Sequence, residues 1–277
     1  RNLKTLNNIL TDYKFREKNI GLVPTMGAIH RGHLALVNKS LKSTEKTIVT
    51  IFVNPMQFNN KEDFNNYPDS IKEDIAILTK KKVDLIFIPK KEEIYPSDFS
   101  TFVHLKKFDD ILCGKNRKNH FAGVATVVLK LFSLIKPQHA FFGEKDYQQL
   151  IIIKKLVSDF NLGMKIHSVK TVRDSKGLAL SSRNNLLSES QKEKASKINN
   201  ILKNLSVKNI IGKKKFLGKL EKKLSLNGVK NIEYLEVRDE KSLELYDEKQ
   251  SLGKSYRIFI AVKFGKIRLI DNLRISK

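Results

Sequence analysis

Over the first two thirds of the chain, short apolar runs alternate with amphipathic stretches. The runs at 20–23, 47–53, 84–88 and 140–142 predict strands, and a further strand is expected over 165–171. The stretches between them carry helical periodicity, over 3–18, 32–43, 70–82, 123–135 and 147–160. Apolar strands separated by helices of this length are the pattern of a parallel sheet with both faces covered. The fold class expected is α/β: a Rossmann-like parallel sheet with helices on both faces.

The last third has a different pattern. Ser188-Glu189-Ser190-Gln191 has the spacing of a capping box and opens a helix. Lys-rich helical segments are expected to run on to about residue 226, where Asn227-Gly228 breaks them. Strands are then predicted over 232–237, 256–264 and 266–270, with Phe264-Gly265-Lys266 as a hairpin turn. This predicts a smaller C-terminal α+β domain. The division expected is 1–174 for the nucleotide-binding and catalytic domain and 175–277 for the appendage.

Composition narrows the function. The chain has 277 residues, 40% of them hydrophobic, enough for a packed core. The formal net charge of +24 invites a nucleic-acid reading. However, the excess is mostly Lys spread through every segment, and Lys and Asn codons are both A/T-rich. The densest stretch, 192–223, holds 11 Lys against 2 Glu but no aromatic interleaving for base stacking. A solvated helical face is expected there, and no nucleic acid as partner. The single cysteine, Cys113, excludes an internal disulfide and a cysteine metal cluster and fits a reducing cytoplasm. The longest apolar run, 124–135, is broken by Lys130 and is too short for a bilayer. No signal core follows Arg1, and a few residues are expected to precede it.

In an open parallel sheet, ligands bind beyond the carboxyl ends of the strands. The residues there are unusual for simple turns. The first strand leads into Met26-Gly27-Ala28-Ile29-His30-Arg31-Gly32-His33, and the second into Asn54-Pro55-Met56-Gln57-Phe58. The fourth leads into Gly143-Glu144-Lys145-Asp146-Tyr147-Gln148-Gln149. The last leads into Arg173-Asp174 and Leu180-Ser181-Ser182-Arg183-Asn184. All are expected on one rim. Gly27 and Gly32 let backbone approach a ligand, and a following helix N-terminus favours anions. His30 and His33 can donate to phosphate oxygens as charge develops. A His pair also suits a metal, but no third ligand is evident nearby. Lys145 and Arg183 suit phosphate. Glu144 and Asp146 suit a ribose or Mg²⁺. Gln57 and Gln149 suit uncharged hydrogen bonding to hydroxyls and carboxylates.

Together these segments resemble the pantoate–β-alanine ligase (pantothenate synthetase) family, within the His-x-Gly-His nucleotidyltransferases. Asn66-Tyr67-Pro68, Glu93-Ile94-Tyr95-Pro96, His120-Phe121-x-Gly123-Val124 and 268–272 add to the match, in the family's order. The sequence departs at Lys118-Asn119, where the family often has Pro-Gly, and at Ala122, where Arg is frequent. The resemblance implies that (R)-pantoate, ATP and β-alanine give pantothenate, AMP and pyrophosphate through a pantoyl adenylate. It implies ATP contacts from Met26, Gly27, Ala28, Ile29, His30, Arg31, Gly32 and His33. Further ATP contacts are implied for Gly143, Glu144, Lys145, Asp146, Val172, Leu180, Ser181, Ser182 and Arg183. Gln57 and Gln149 are implied to bind pantoate, and Gln57 also β-alanine. The catalytic set would be His33, His30 and Lys145, with Mg²⁺ bridging phosphates, and the assembly a homodimer. The alternatives are another His-x-Gly-His nucleotidyltransferase, which needs extra cations for a phosphorylated acceptor, and an RNA-binding protein.

Overall fold

The structure, a computed structural model, describes residues 2–12, 14–203, 205–206, 215–247 and 253–276. The chain forms two compact units. One comprises Arg1–Glu144 with Ile152–Lys170, and the other Lys145–Ile151 with Thr171–Lys277.

The first unit begins with α1 (Leu3–Thr11), β1 (Ile20–Thr25), α2 (Arg31–Ser43) and β2 (Lys46–Ile51). Then follow the short α3 (Lys61–Asn65), α4 (Ile71–Lys80), β3 (Leu85–Phe87), and the single turns α5 (Lys91–Ile94) and α6 (Cys113–Asn116). The buried α7 (His120–Ile135), β4 (His139–Gly143), α8 (Tyr147–Asp159) and β5 (Lys165–Val169) complete the alternation. Every strand predicted here is present. The sheet is parallel, with order β3-β2-β1-β4-β5. The direction of winding reverses between β1 and β4, the switch point at which such sheets bind ligands.

Residues alternate between the two sheet faces, and both faces are covered. Val23, Val49 and Phe141 pack with Leu36 and Val37 of α2 and Leu78 of α4. On the other face, Phe142 meets Phe132 of α7 edge-on. The first helix is shorter than its periodicity over 3–18. Asp12 leaves the helical region, and its carboxylate accepts the Lys14 N–H at 2.9 Å, a local turn that competes with helix.

In the second unit, the capping box is present. Ser188 Oγ accepts the Gln191 N–H, and Gln191 Oε1 accepts the Ser188 N–H. It opens α9 (Glu189–Leu202), and α10 (Phe216–Leu226) ends at Asn227 as expected. Positions 204 and 207–214 of the Lys-rich stretch lie outside the described residues. The antiparallel sheet runs β6 (Asn231–Asp239), β7 (Tyr256–Phe264), β8 (Ile267–Arg274) in that order. Ile258, Ile260 and Val262 face a core shared with Ile198, Leu202, Leu220 and Leu224 of the helices. The opposite face of β7 receives Tyr147, whose ring lies 6.0 Å from that of Phe259. That contact explains why residues 145–151 group with this unit.

Candidate active site

The loop leaving β1 is shaped by two consecutive left-handed residues, Gly27 (φ 85°) and Ala28 (φ 50°). The left-handed region costs a non-glycine residue roughly 1–2 kcal/mol. Asp74, on α4 and 1% exposed, offsets this. Its carboxylate accepts the Ala28 N–H at 2.8 Å, the Ile29 N–H at 2.7 Å and the Ser70 hydroxyl at 3.2 Å. Hydrogen bonds to a charged group contribute about 1.5–3 kcal/mol each, so the carboxylate decides the loop's shape. The N–H groups of Ala28 and Ile29 therefore point at Asp74.

His30 is the N-cap of α2 and His33 stands at its third position. The two replace the usual Ser and Glu of a reciprocal cap. His30 Nδ1 accepts the Gly32 N–H at 3.0 Å, and His33 Nδ1 accepts the His30 N–H at 3.4 Å. The rings stack with centroids 4.1 Å apart. A ring nitrogen that accepts carries no proton, so each neutral imidazole holds its proton on Nε2. The helix start thus sets both tautomers and makes both Nε2 atoms donors. Arg31 opens α2 and is exposed.

Gln57 ends a 3₁₀ turn, Pro55–Gln57, beyond β2. Asn54, 1% exposed, organises the turn. Its Oδ1 accepts from Met56 N at 3.3 Å and from the Tyr95 hydroxyl at 2.9 Å. Its Nδ2 donates to Gln57 Oε1 and to the Gly123 carbonyl, both at 3.1 Å. Burial pushes the Tyr95 phenol well above its ordinary range, so it stays a hydroxyl donor. With its oxygen held by Asn54, Gln57 turns its Nε2 to Met26 Sδ at 3.1 Å. That contact ties Gln57 to the histidine loop.

The backbone of Gln57 is held as well. His120 Nδ1 lies 2.8 Å from its carbonyl and Arg117 Nη2 3.2 Å, while Arg117 Nη1 lies 3.0 Å from His120 Nε2. A carbonyl only accepts and a guanidinium only donates. His120 is therefore neutral, with its proton on Nδ1. Asn119, at the first family departure, is left-handed (φ 61°), a conformation Asn adopts more readily than other non-glycine residues.

Gly143 ends β4, beside β1 in the sheet, and Glu144 follows it at the start of a 3₁₀ turn. The remaining candidates lie in the second unit. Lys145 Nζ lies 3.4 Å from Asp146 Oδ1. The Val172 carbonyl accepts the Leu180 N–H at 3.0 Å. Ser181 caps the 3₁₀ turn Ser182–Leu186, accepting the Arg183 N–H at 3.3 Å. Lys145 and Ser181 line one cavity, with Asn184 and Asp271 beside them. Gln149 is half-buried near the start of α8. Among the described residues no group of three or more His, Cys, Asp or Glu is placed to hold a metal ion. No described helix is long and apolar enough to cross a membrane.

The sequence reading missed Asp74, and a signal for it exists. An acid at the apolar spacing Ile71, Asp74, Leu78 faces inward and needs a partner. For Asn54 and Tyr95, 41 positions apart, nothing local marks the bond between them.

The comparisons bear on the whole arrangement. A family model described as pantoate-beta-alanine ligase matches residues 1–274. A pantothenate synthetase of Pseudothermotoga lettingae is 41% identical over 98% of this chain and 96% of its own length. One of Coprothermobacter proteolyticus is 42% identical, covering 100% and 98% respectively. Among solved structures, a Thermus thermophilus pantothenate synthetase aligns with TM-score 0.90 and 37% identity over 100% of this chain and 98% of that one. The Francisella tularensis pantoate-beta-alanine ligase, complexed with beta-gamma ATP and beta-alanine, aligns with TM-score 0.83 and 39% identity over 99% and 95%. With its sheet, its histidine-capped helix and a family match from end to end, the chain belongs to the pantoate–β-alanine ligase family.

Proposed function

We infer that this chain condenses (R)-pantoate with β-alanine at the expense of ATP, in two steps. A carboxylate oxygen of pantoate attacks the α-phosphorus, the bond to the β-phosphate breaks, and pyrophosphate leaves. The β-alanine nitrogen then attacks the acyl carbon, loses a proton and displaces AMP. A free carboxylate is a poor acyl donor, and AMP supplies the leaving group. The acyl adenylate is prone to hydrolysis, which favours a site that excludes water.

The observation that carries this reading is the reciprocal His30–His33 cap in a chain matching the family over residues 1–274. We assign His33, with His30 beside it, to stabilising charge on the phosphate in adenylylation. The Nε2–H tautomer that the cap enforces supports this role. Lys145 and Arg183 would carry phosphate charge. Met26 to His33, Gly143 to Asp146, Val172 and Leu180 to Arg183 would contact ATP. Gln57 and Gln149 would hold pantoate, and Gln57 would also meet β-alanine. Mg²⁺ suits this set. Asp146 offers a carboxylate beside Lys145, and the ion would be held mainly through phosphates. When bound it would offset phosphate charge. The single cysteine fits the cytoplasm, and family resemblance suggests a homodimer.

The test is pantoate-dependent exchange of labelled pyrophosphate into ATP with Mg²⁺ and without β-alanine. Exchange is expected. A folded sample that fails to exchange, while binding ATP and pantoate, contradicts the proposal.

A further inference from the structure

Asp271 and Asn272 are neighbours in β8, so their side chains leave opposite faces of the sheet. Asp271 accepts two N–H groups of Arg173 at 2.6 and 2.8 Å, and Arg173 also donates to the Gly177 carbonyl at 3.1 Å. Asn272 Nδ2 donates to the backbone carbonyl of Lys145 at 2.9 Å. The amide has one workable orientation. Arg257 Nη1 donates to Asn272 Oδ1 at 2.6 Å, and a guanidinium cannot accept, so the oxygen must face Arg257 and the NH₂ group Lys145. Arg257 is itself fixed. Glu240 holds its Nε at 3.1 Å and its Nη2 at 3.0 Å, and its guanidinium carbon sits 3.9 Å from the centroid of the Tyr147 ring. Arg257 and Asn272 are 7% and 4% exposed, so the link between them is shielded from water.

This chain of bonds ends at the carbonyl of a cationic residue, and the same strand clamps the segment that leads to Ser181. We propose that Asn272 is a positioning residue for the nucleotide: it fixes the Lys145 backbone so that the ammonium group meets phosphate. The proposal rests on the reading that Lys145 holds ATP. Shifts of about 1 Å at a charged contact can cost up to a hundredfold, so a loosened Lys145 has a measurable effect.

Asn272→Asp keeps the shape but turns an oxygen towards the Lys145 carbonyl, and Asn272→Ala removes the bond without adding charge. In pyrophosphate exchange, either variant is expected to raise KM for ATP roughly tenfold while KM for pantoate moves less than about twofold. Lys145→Ala tests the underlying reading by itself. In that background Asn272→Asp is expected to change KM for ATP by less than about twofold, because residues acting through one group are not additive. An unchanged KM for ATP in the Asn272 variants, with Lys145→Ala impaired, overturns the proposal and leaves the reading standing. Full additivity in the double variant, equal rises in both KM values, or loss of the folded state in both Asn272 variants overturns it too. An unimpaired Lys145→Ala overturns the reading, and the proposal with it.

Discussion

His33 is visible in the sequence as half of a His-x-Gly-His spacing, but its tautomer is not. The tautomer follows from a backbone N–H at 3.4 Å that only the folded helix start presents. If His33 donates to the phosphate in adenylylation, His33→Ala lowers the single-turnover rate by roughly a hundredfold or more, as loss of one such donor does elsewhere. A rate within a few-fold of the parent would remove His33 from that role. The spacing Ile71, Asp74, Leu78 marks Asp74 as facing inward, but no local pattern reveals that it pairs with Ala28, 46 positions away. Asn at this position offers one acceptor oxygen for two N–H groups. Asp74→Asn is expected to cost about 1–3 kcal/mol in urea unfolding and to slow pyrophosphate exchange several-fold. Unchanged exchange in a destabilised variant would show that the loop keeps its shape without both bonds.

At the scale of elements, the inner strands β1, β2 and β4 follow the apolar runs closely because burial on both faces requires uninterrupted apolar segments. Helix ends are less legible, since α1 yields to a side-chain turn at Asp12 that competes locally with the helix. Gly123 shows what close packing asks of an element. A Cβ there would lie 2.5 Å from the Met56 carbonyl oxygen, in the turn that carries Gln57. Gly123→Ala is therefore expected to destabilise the fold by about 1–3 kcal/mol and to raise KM for pantoate more than KM for ATP. Equal KM values in variant and parent would argue that the turn absorbs the methyl group. Strands β4 and β5 carry a second device, His139 Nδ1 bonded to His167 Nε2 at 2.8 Å. Burial lowers the pKa of both rings, helped by Lys165 at His139 and by His139, Lys39 and Lys165 at His167. Groups lowered on folding take up protons more readily when unfolded. Stability is therefore full above the unfolded value of about 6.5 and is lost as pH falls through the lowered folded values. Denaturant midpoints should fall between pH 7.5 and 5.5, and His167→Phe should flatten that dependence. A dependence that survives His167→Phe would place its origin elsewhere.

At the scale of the whole molecule, the sequence pattern offers a single change of character in the last third. The contacts of residues 145–151 add something no local pattern carries. Tyr147 packs on Phe259 and beneath Arg257, so the start of α8 belongs with the small sheet. The His30–His33 cap and the Lys145 anchor are thus built by separate units, each with its own core. The net charge of +24 was legible but uninformative, since Lys is spread through the whole chain. What unites these features is one chemical claim, that a carboxylate oxygen of pantoate becomes bonded to the α-phosphorus of ATP. Pantoate labelled with ¹⁸O in its carboxylate, turned over with ATP, Mg²⁺ and β-alanine, tests it directly. One labelled oxygen should appear in the phosphate of AMP and the other in the amide carbonyl of pantothenate. AMP free of label, or label in pyrophosphate, would contradict it.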